Sequence, residues 1–390
     1  MEDIEIYQLA SQVMGDLTHE LNEGIYAQLG GELSIKWREE KVFGAYASSP
    51  GQLDEPPKHS ITVYYEFVRQ VWRDAEDLCK FLRSIPEGSG VDRLYDFYDD
   101  RSKLPTCFKD EEQVKNMFVA AITWVYFHEI GHLIQEHGVI RNEFGPGNHG
   151  AEQSTDVHDF EASKEKLIVG REALVSHVTE LAADFEATNF YVVELLRHVS
   201  DPDFVSDKAR TEVFAGLIYL MVCGLSLVFF RFNGSQPVLP TAVVAGSHPN
   251  PFIRLEINVP HIFESLDESL ARKVAGHDFD RRHLVLLCGK AALSATLYWS
   301  MTKTPERRFD DRFMLKGLLS NPVVLQYLQP IVACWDEMLP RVMEVRRFGF
   351  PRGLMTFADS FRERIADVIT WGNGPEGNVT ASASPDAPAS

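Results

Sequence analysis

The feature that most constrains the fold is the segment from Asp110 to Gly138, which is apolar at helical spacing on almost every face. At 100° per residue Val114, Phe118, Ala121, Val125, His128 and His132 fall within a sector of roughly 80°, while Trp124, Phe127, Ile130, Leu133 and Ile134 occupy the other faces. A helix that is apolar all round has to be covered all round. The rest of the chain must therefore wrap it. Asp110 is the expected N-cap, with Gln113 placed for a capping-box contact, Glu111 and Glu112 in the dipole-favoured first turn, and Gly138 as the stop.

With 390 residues, 45% hydrophobic and 24% charged, the chain has enough apolar material for such a body. The first 65 residues carry strand-like runs at Glu32 to Trp37, Lys41 to Ala47 and His59 to Tyr65, and short turns between the first two predict a small antiparallel sheet. Helical spacing returns from Glu66 to Arg83, then from about Arg171 to His198, Val213 to Phe230, Arg281 to Met301 and Asn321 to Val345. Residues 141–165, polar and glycine-containing, read as a long surface loop in which His149 and His158 are solvated. The tail from 373 to 390 is low in complexity and reads as disordered. The expected class is α+β, mostly α. Val213 to Phe230 carries no charge and reaches the lower length limit for a bilayer crossing. Its glycines, its lack of a one-sided basic flank and its isolation as the single credible span favour a buried core helix over membrane association.

The formal net charge of −19 repels nucleic-acid backbones and anionic lipid surfaces, so no nucleic-acid partner is expected. Five scattered cysteines without a CxxC pair suggest neither a disulfide framework nor a cysteine zinc site. The acidic N-terminus lacks a basic n-region and an apolar h-region. A cytoplasmic location is the expectation.

The central helix contains His128-Glu129-Ile130-Gly131-His132. Residues four apart stand one turn above each other, so two imidazoles at this spacing reach one zinc ion. Glu129, about 100° round from His128, is placed to take a proton from water attacking a carbonyl that the ion polarises. A third ligand is needed, with a fourth position left open. The extended HExxHxxGxxH pattern fails, because Gln135 and Gly138 stand where Gly and His are required. His137 is expected round the helix from the ligand face, as an exposed C-terminal residue. The second long helix offers Glu180-Leu181-Ala182-Ala183-Asp184, with Glu180 and Asp184 on one face and two alanines that permit close helix approach. Glu180 is the candidate third ligand, Asp184 the acceptor for a ligating histidine's spare N–H, and His177 the competitor to Glu180.

HEIGH followed by ELAAD resembles the gluzincin metallopeptidases, in which HExxH and a later ExxxD motif supply the metal site. Ser247-His248-Pro249-Asn250-Pro251-Phe252-Ile253-Arg254-Leu255 is similar to a segment that follows ExxxD in HtpX-like peptidases, and the phage-exclusion Lit peptidases are a similar group. The resemblance covers roughly residues 110–260. It implies His128, His132 and Glu180 as zinc ligands, Glu129 as base, Asp184 behind a ligand, and His248 and Arg254 as groups that stabilise an oxyanion or support the site. Asn250 replaces the second proline, and the several membrane spans of HtpX-like enzymes are missing.

The resulting expectation is a zincin-type metallopeptidase domain over 1–305 with its motif core at 110–260, a helical C-terminal extension over 306–372 and the tail at 373–390. Its cofactor is Zn2+ and its partner a protein or peptide substrate. The strand His59 to Tyr65 is a weaker candidate for holding an extended peptide by edge addition. The loop 141–165 is a candidate gate. The competing expectation is an inactive protein whose zinc braces the helices for partner binding, and a third is a zinc-site regulator that cleaves one factor under stress.

Overall fold

The computed structural model describes residues 1–146, 157–158, 168–201, 210–234, 242–266, 273, 279–304, 321–348 and 353–372. In chain order the elements are α1 (Asp3–Leu21), a π turn (Asn22–Tyr26), α2 (Ala27–Leu29), β1 (Glu32–Arg38), β2 (Ala45–Ser48), β3 (Lys58–Tyr64) and α3 (Tyr65–Ser84). There follow α4 (Asp110–Ile134), α5 (His137–Phe144), β4 (Val157–His158), α6 (Gly170–Ser200), α7 (Arg210–Asn233) and α8 (Pro251–Ser265). Last come α9 (Arg281–Tyr298), running into a π turn, α10 (Pro322–Val345) and α11 (Asp359–Gly372). The protein is mostly helical with one small sheet.

Helix α4 is the interior helix that its composition demands. From Met117 to Ile134 nearly every residue is buried, against α1, α3, α6, α7 and the sheet. Its start differs in detail from the expectation. Lys109 is the N-cap, and its N–H donates to Glu112 Oε2 at 2.7 Å. Gln113 instead donates to the carbonyls of Pro105 and Phe108. Two glycines set how closely its neighbours approach. A Cβ at Gly224 of α7 would lie 2.7 Å from Met117 O, and one at Gly131 of α4 would lie 3.0 Å from Ala183 O of α6.

The sheet is mixed, in the order β1-β3-β2-β4, and not antiparallel throughout. β1 pairs parallel to β3, β2 pairs antiparallel to β3 with Ala45 opposite Val63, and Lys41 to Gly44 stay outside the strand. The short link between β1 and β2 therefore does not make a hairpin, because β3 inserts between them. With both its edges filled, β3 has no edge to offer a peptide. α1 lies outside the expected elements, although its buried Ile6, Ala10, Met14 and Leu21 recur at helical spacing.

α10 and α11 share a second core with α6, Ile140 of α5 and Ile253 of α8, around Trp335, Leu328 and Ile331. Arg347, just past α10, ties this part to the end of α4. Its N–H donates to Ile134 O and its Nε to Glu136 Oε1, at 2.8 and 2.6 Å. The expected boundary near residue 305 and the tail 373–390 lie outside the described residues, as do residues 147–156 and 159–165 of the expected gate, with His149 among them. Residues 141–144 of that expected loop are helical, as part of α5.

Among the described residues three helical stretches, Asp110–Ile134, Arg210–Asn233 and Arg281–Lys303, are long and apolar enough to cross a membrane by length and composition, where the sequence reading admits one. Their most apolar windows are 94%, 89% and 50% buried within the protein. α7 is accordingly an interior helix. Its two flanking segments meet in space, since Arg254 bonds Asp184, and a lone crossing by α7 would separate them.

Candidate metal centre

α4 delivers His128 and His132 from successive turns, and α6 delivers Glu180 across the contact of Gly131 with Ala183. The absence of a side chain at 131 and the small one at 183 let the two backbones approach, which brings three ligand-type atoms together. His128 Nε2 and His132 Nε2 lie 3.0 Å apart. Glu180 Oε2 lies 3.3 Å from His128 Nε2, and Glu180 Oε1 lies 3.3 Å from His132 Nε2. Tetrahedral zinc with ligand bonds near 2.05 Å needs donor separations of about 3.3 Å; each imidazole meets a different Glu180 oxygen at that distance, and one ligand atom from each of the three residues lies within 4.8 Å of the others. Glu180 Oε2 is buried with no well-formed hydrogen bond among the described residues, an arrangement that a cation relieves. The donor set of two imidazoles and a carboxylate suits zinc chemistry.

The surroundings orient the triangle. His128 Nδ1 faces Asp184 Oδ1 at 2.9 Å, and its ring stacks on Trp124. Arg254 donates Nε and Nη2 to the two oxygens of Asp184 at 2.8 and 2.6 Å and lies over the Phe229 ring. Asn258 adds a contact to the same carboxylate. Arg141 of α5 donates Nη2 to Glu180 Oε1 and Nε to Thr179 Oγ1, both at 2.7 Å. His248 Nε2 sits 3.6 Å from Glu180 Oε2, with Nδ1 against Ser247 Oγ.

These contacts set the charges. Burial works to neutralise His128, yet its hydrogen bonds to the Asp184 and Glu180 carboxylates outweigh it and push the imidazole up to about 10. His132 goes the other way, pulled down to about 4 by burial. Burial opposes ionisation of Glu180 and Asp184, but the histidines beside Glu180 and the Arg254 guanidinium beside Asp184 hold both carboxyls below their usual range. The acids are thus charged and His132 is neutral, as a ligand set requires, while His128 holds a proton that a metal would displace.

Of the residues expected at a site, the structure brings His128, His132, Glu180, Asp184, His248 and Arg254 together, and buries Glu129 in the same turn of α4. Arg254 reaches no closer than 3.9 Å to Glu180 and is engaged with Asp184, so its position is behind the ligands. His177 stands apart, bonded to Tyr327 OH and to Gly246 O. The expected exposure of His137 is wrong. Glu136 takes a left-handed conformation at φ 51°, which ends α4 early and turns the chain back, so that His137 is buried with its Nδ1 2.8 Å from His132 Nδ1. Arg141, Gln135 and Glu186 also escaped the sequence reading, and no spacing rule marks them. No family model, curated protein or solved structure matches the chain.

Proposed function

We propose that the protein is a cytoplasmic zinc metalloendopeptidase of gluzincin type, hydrolysing a peptide bond in a protein substrate. The observation that carries this reading is the buried triangle of His128, His132 and Glu180 beside an intact Glu129. A zinc ion held by His128, His132 and Glu180 would supply Lewis acidity, polarising a carbonyl and lowering the pKa of water. Glu129 then takes the proton of the attacking water and passes it to the leaving amine. Asp184 holds His128 by its Nδ1–H, and Arg254 holds Asp184, so the ring keeps its direction without a rearrangement at the moment of reaction. Substrate approaches past Arg141 and His248, whose side chains are 23% and 19% exposed while Glu180 is 1% exposed. His248, on that rim 3.6 Å from Glu180 Oε2, would stabilise negative charge developing on a substrate carbonyl. The five cysteines, free in the structure, fit a reducing compartment.

The test is a comparison of new N-termini released from a proteome by zinc-loaded wild type and by zinc-loaded Glu129→Gln. Cleavage by wild type alone supports the mechanism; equal cleavage by both refutes it. The burial of the ligand atoms also favours a second reading, an inactive protein braced by zinc. X-ray absorption showing a fourth protein ligand on the bound zinc, with no cleavage by wild type, would select it.

A further inference from the structure

His132 has a second nitrogen, and the structure connects it to the C-terminal part of the chain. His132 Nδ1 meets His137 Nδ1 at 2.8 Å; His137 Nε2 meets Gln135 Oε1 at 3.2 Å; Gln135 Nε2 donates to Glu186 Oε2 at 3.0 Å. Arg346, at the end of α10, donates Nη2 to Glu186 Oε1 at 3.3 Å. His132, His137, Gln135 and Glu186 are all buried, the last three with no exposure at all. Gly353 closes over the far end, where a Cβ would lie 2.6 Å from both Glu186 oxygens and 2.8 Å from Arg346 Nη2.

Every bond in this chain has a fixed polarity once its ends are given. A neutral His132 whose Nε2 is left bare for a metal carries its proton on Nδ1. It can donate to His137 only if His137 Nδ1 is bare, which puts the His137 proton on Nε2. That proton points at the carbonyl oxygen of Gln135, and the Gln135 amide in turn donates to the Glu186 carboxyl. With the Gln135 amide donating to Glu186, one arrangement of protons satisfies all three bonds, and the reverse arrangement would set the bare Nε2 of His137 against the carbonyl oxygen of Gln135.

We infer that His137, Gln135 and Glu186 form a directed hydrogen-bond relay that fixes the tautomer and ring orientation of His132, with Arg346 of the C-terminal helices anchoring its far end. The inference rests on the metal-centre reading and adds positioning residues to it. Histidine ligands commonly lean on a carboxylate directly, and removing such a partner costs about 10–100-fold in metal affinity. Here the carboxylate acts through an amide and a second imidazole, from the helix that supplies Glu180. The centre is thereby made sensitive to how α10 docks on α6.

The experiment uses full-length protein labelled with 15N-histidine, with zinc as the probe. Zinc affinity by chelator competition is compared among wild type, His137→Phe, His137→Gln, Arg346→Met and Leu284→Ala, a core truncation in α9 that serves as a stability control. The relay predicts Nε2–H on His137, a loss of about 10–100-fold for His137→Phe, a smaller loss for His137→Gln, whose carbonyl still accepts from His132, and no loss for Leu284→Ala. Nδ1–H on His137, or zinc binding by His137→Phe within twofold of wild type, overturns it. A wild type that binds no zinc ends the metal-centre reading instead. The relay is then judged on the metal-free protein, where Nε2–H on His137 supports it and Nδ1–H overturns it.

Discussion

Gly131→Ala is a single-methyl test of the contact on which the centre depends. A Cβ at 131 would lie 3.0 Å from Ala183 O, 3.1 Å from Ala183 Cα and 3.4 Å from Ala183 Cβ. Carbon contacts are most favourable at about 3.5–4.0 Å, and two of these three neighbours are backbone atoms that no rotamer change removes. α4 and α6 must therefore separate by about 0.3–0.5 Å. Overpacking of this kind costs about 1–3 kcal/mol, offset by about 1 kcal/mol gained on replacing a mid-helix glycine. The net effect on the metal-free protein is a destabilisation of about 0–2 kcal/mol. Zinc affinity should suffer more, because two ligands ride on α4 and one on α6, and zinc tolerates shifts of about 0.2 Å. A loss of about tenfold in affinity, worth about 1.4 kcal/mol, is expected. Urea unfolding of the metal-free protein and chelator competition for zinc measure the two quantities. A variant that is about 1 kcal/mol more stable than wild type, with unchanged zinc affinity, would refute the close approach of the two helices.

Gly224→Ala places a methyl 2.7 Å from Met117 O and should destabilise the fold by about 1–3 kcal/mol in urea unfolding; a rise in stability would contradict the packing of α7 on α4. Burial pushes the Glu186 carboxyl up to about 7 from 4.5, against Arg346 and Gln135. The folded state then keeps a proton that the unfolded state has lost, so stability falls as pH rises from about 4.5 to 7, by about 3 kcal/mol. Glu186→Gln should remove that fall, and parallel pH profiles for the two proteins would contradict it. Asp184→Asn, which weakens the acceptor behind His128 and leaves Arg254 facing a neutral amide, should lower zinc affinity by about 10–100-fold; an unchanged affinity in chelator competition would remove Asp184 from the site.

The legible parts of this protein are those written in local spacing. The four-residue interval of His128 and His132, and that of Glu180 and Asp184, each depends on one helix, and the second alanine of ELAAD, Ala183, does meet a small residue, Gly131, across the interface. Burial of α4 followed from its all-round apolar pattern, and that of α7 from its glycines and the lack of a one-sided basic flank. What stayed hidden depends on where the chain turns. Gly138 reads as the helix stop, but the turn falls at Glu136, a non-glycine residue in the left-handed region held by Arg347 from beyond α10. That one turn decides whether His137 and Arg141 face solvent or the site. The strand order hides for a similar reason, since β3 separates β1 from β2 through pairing that no local turn specifies.

The central claim is met most directly by metal stoichiometry on purified wild type, His132→Ala, Glu180→Ala and Glu129→Ala. The account predicts one zinc per chain in wild type, its loss from the His132 and Glu180 variants, and its retention in Glu129→Ala. A metal-replete wild type without zinc, or one whose zinc survives removal of Glu180, would contradict it.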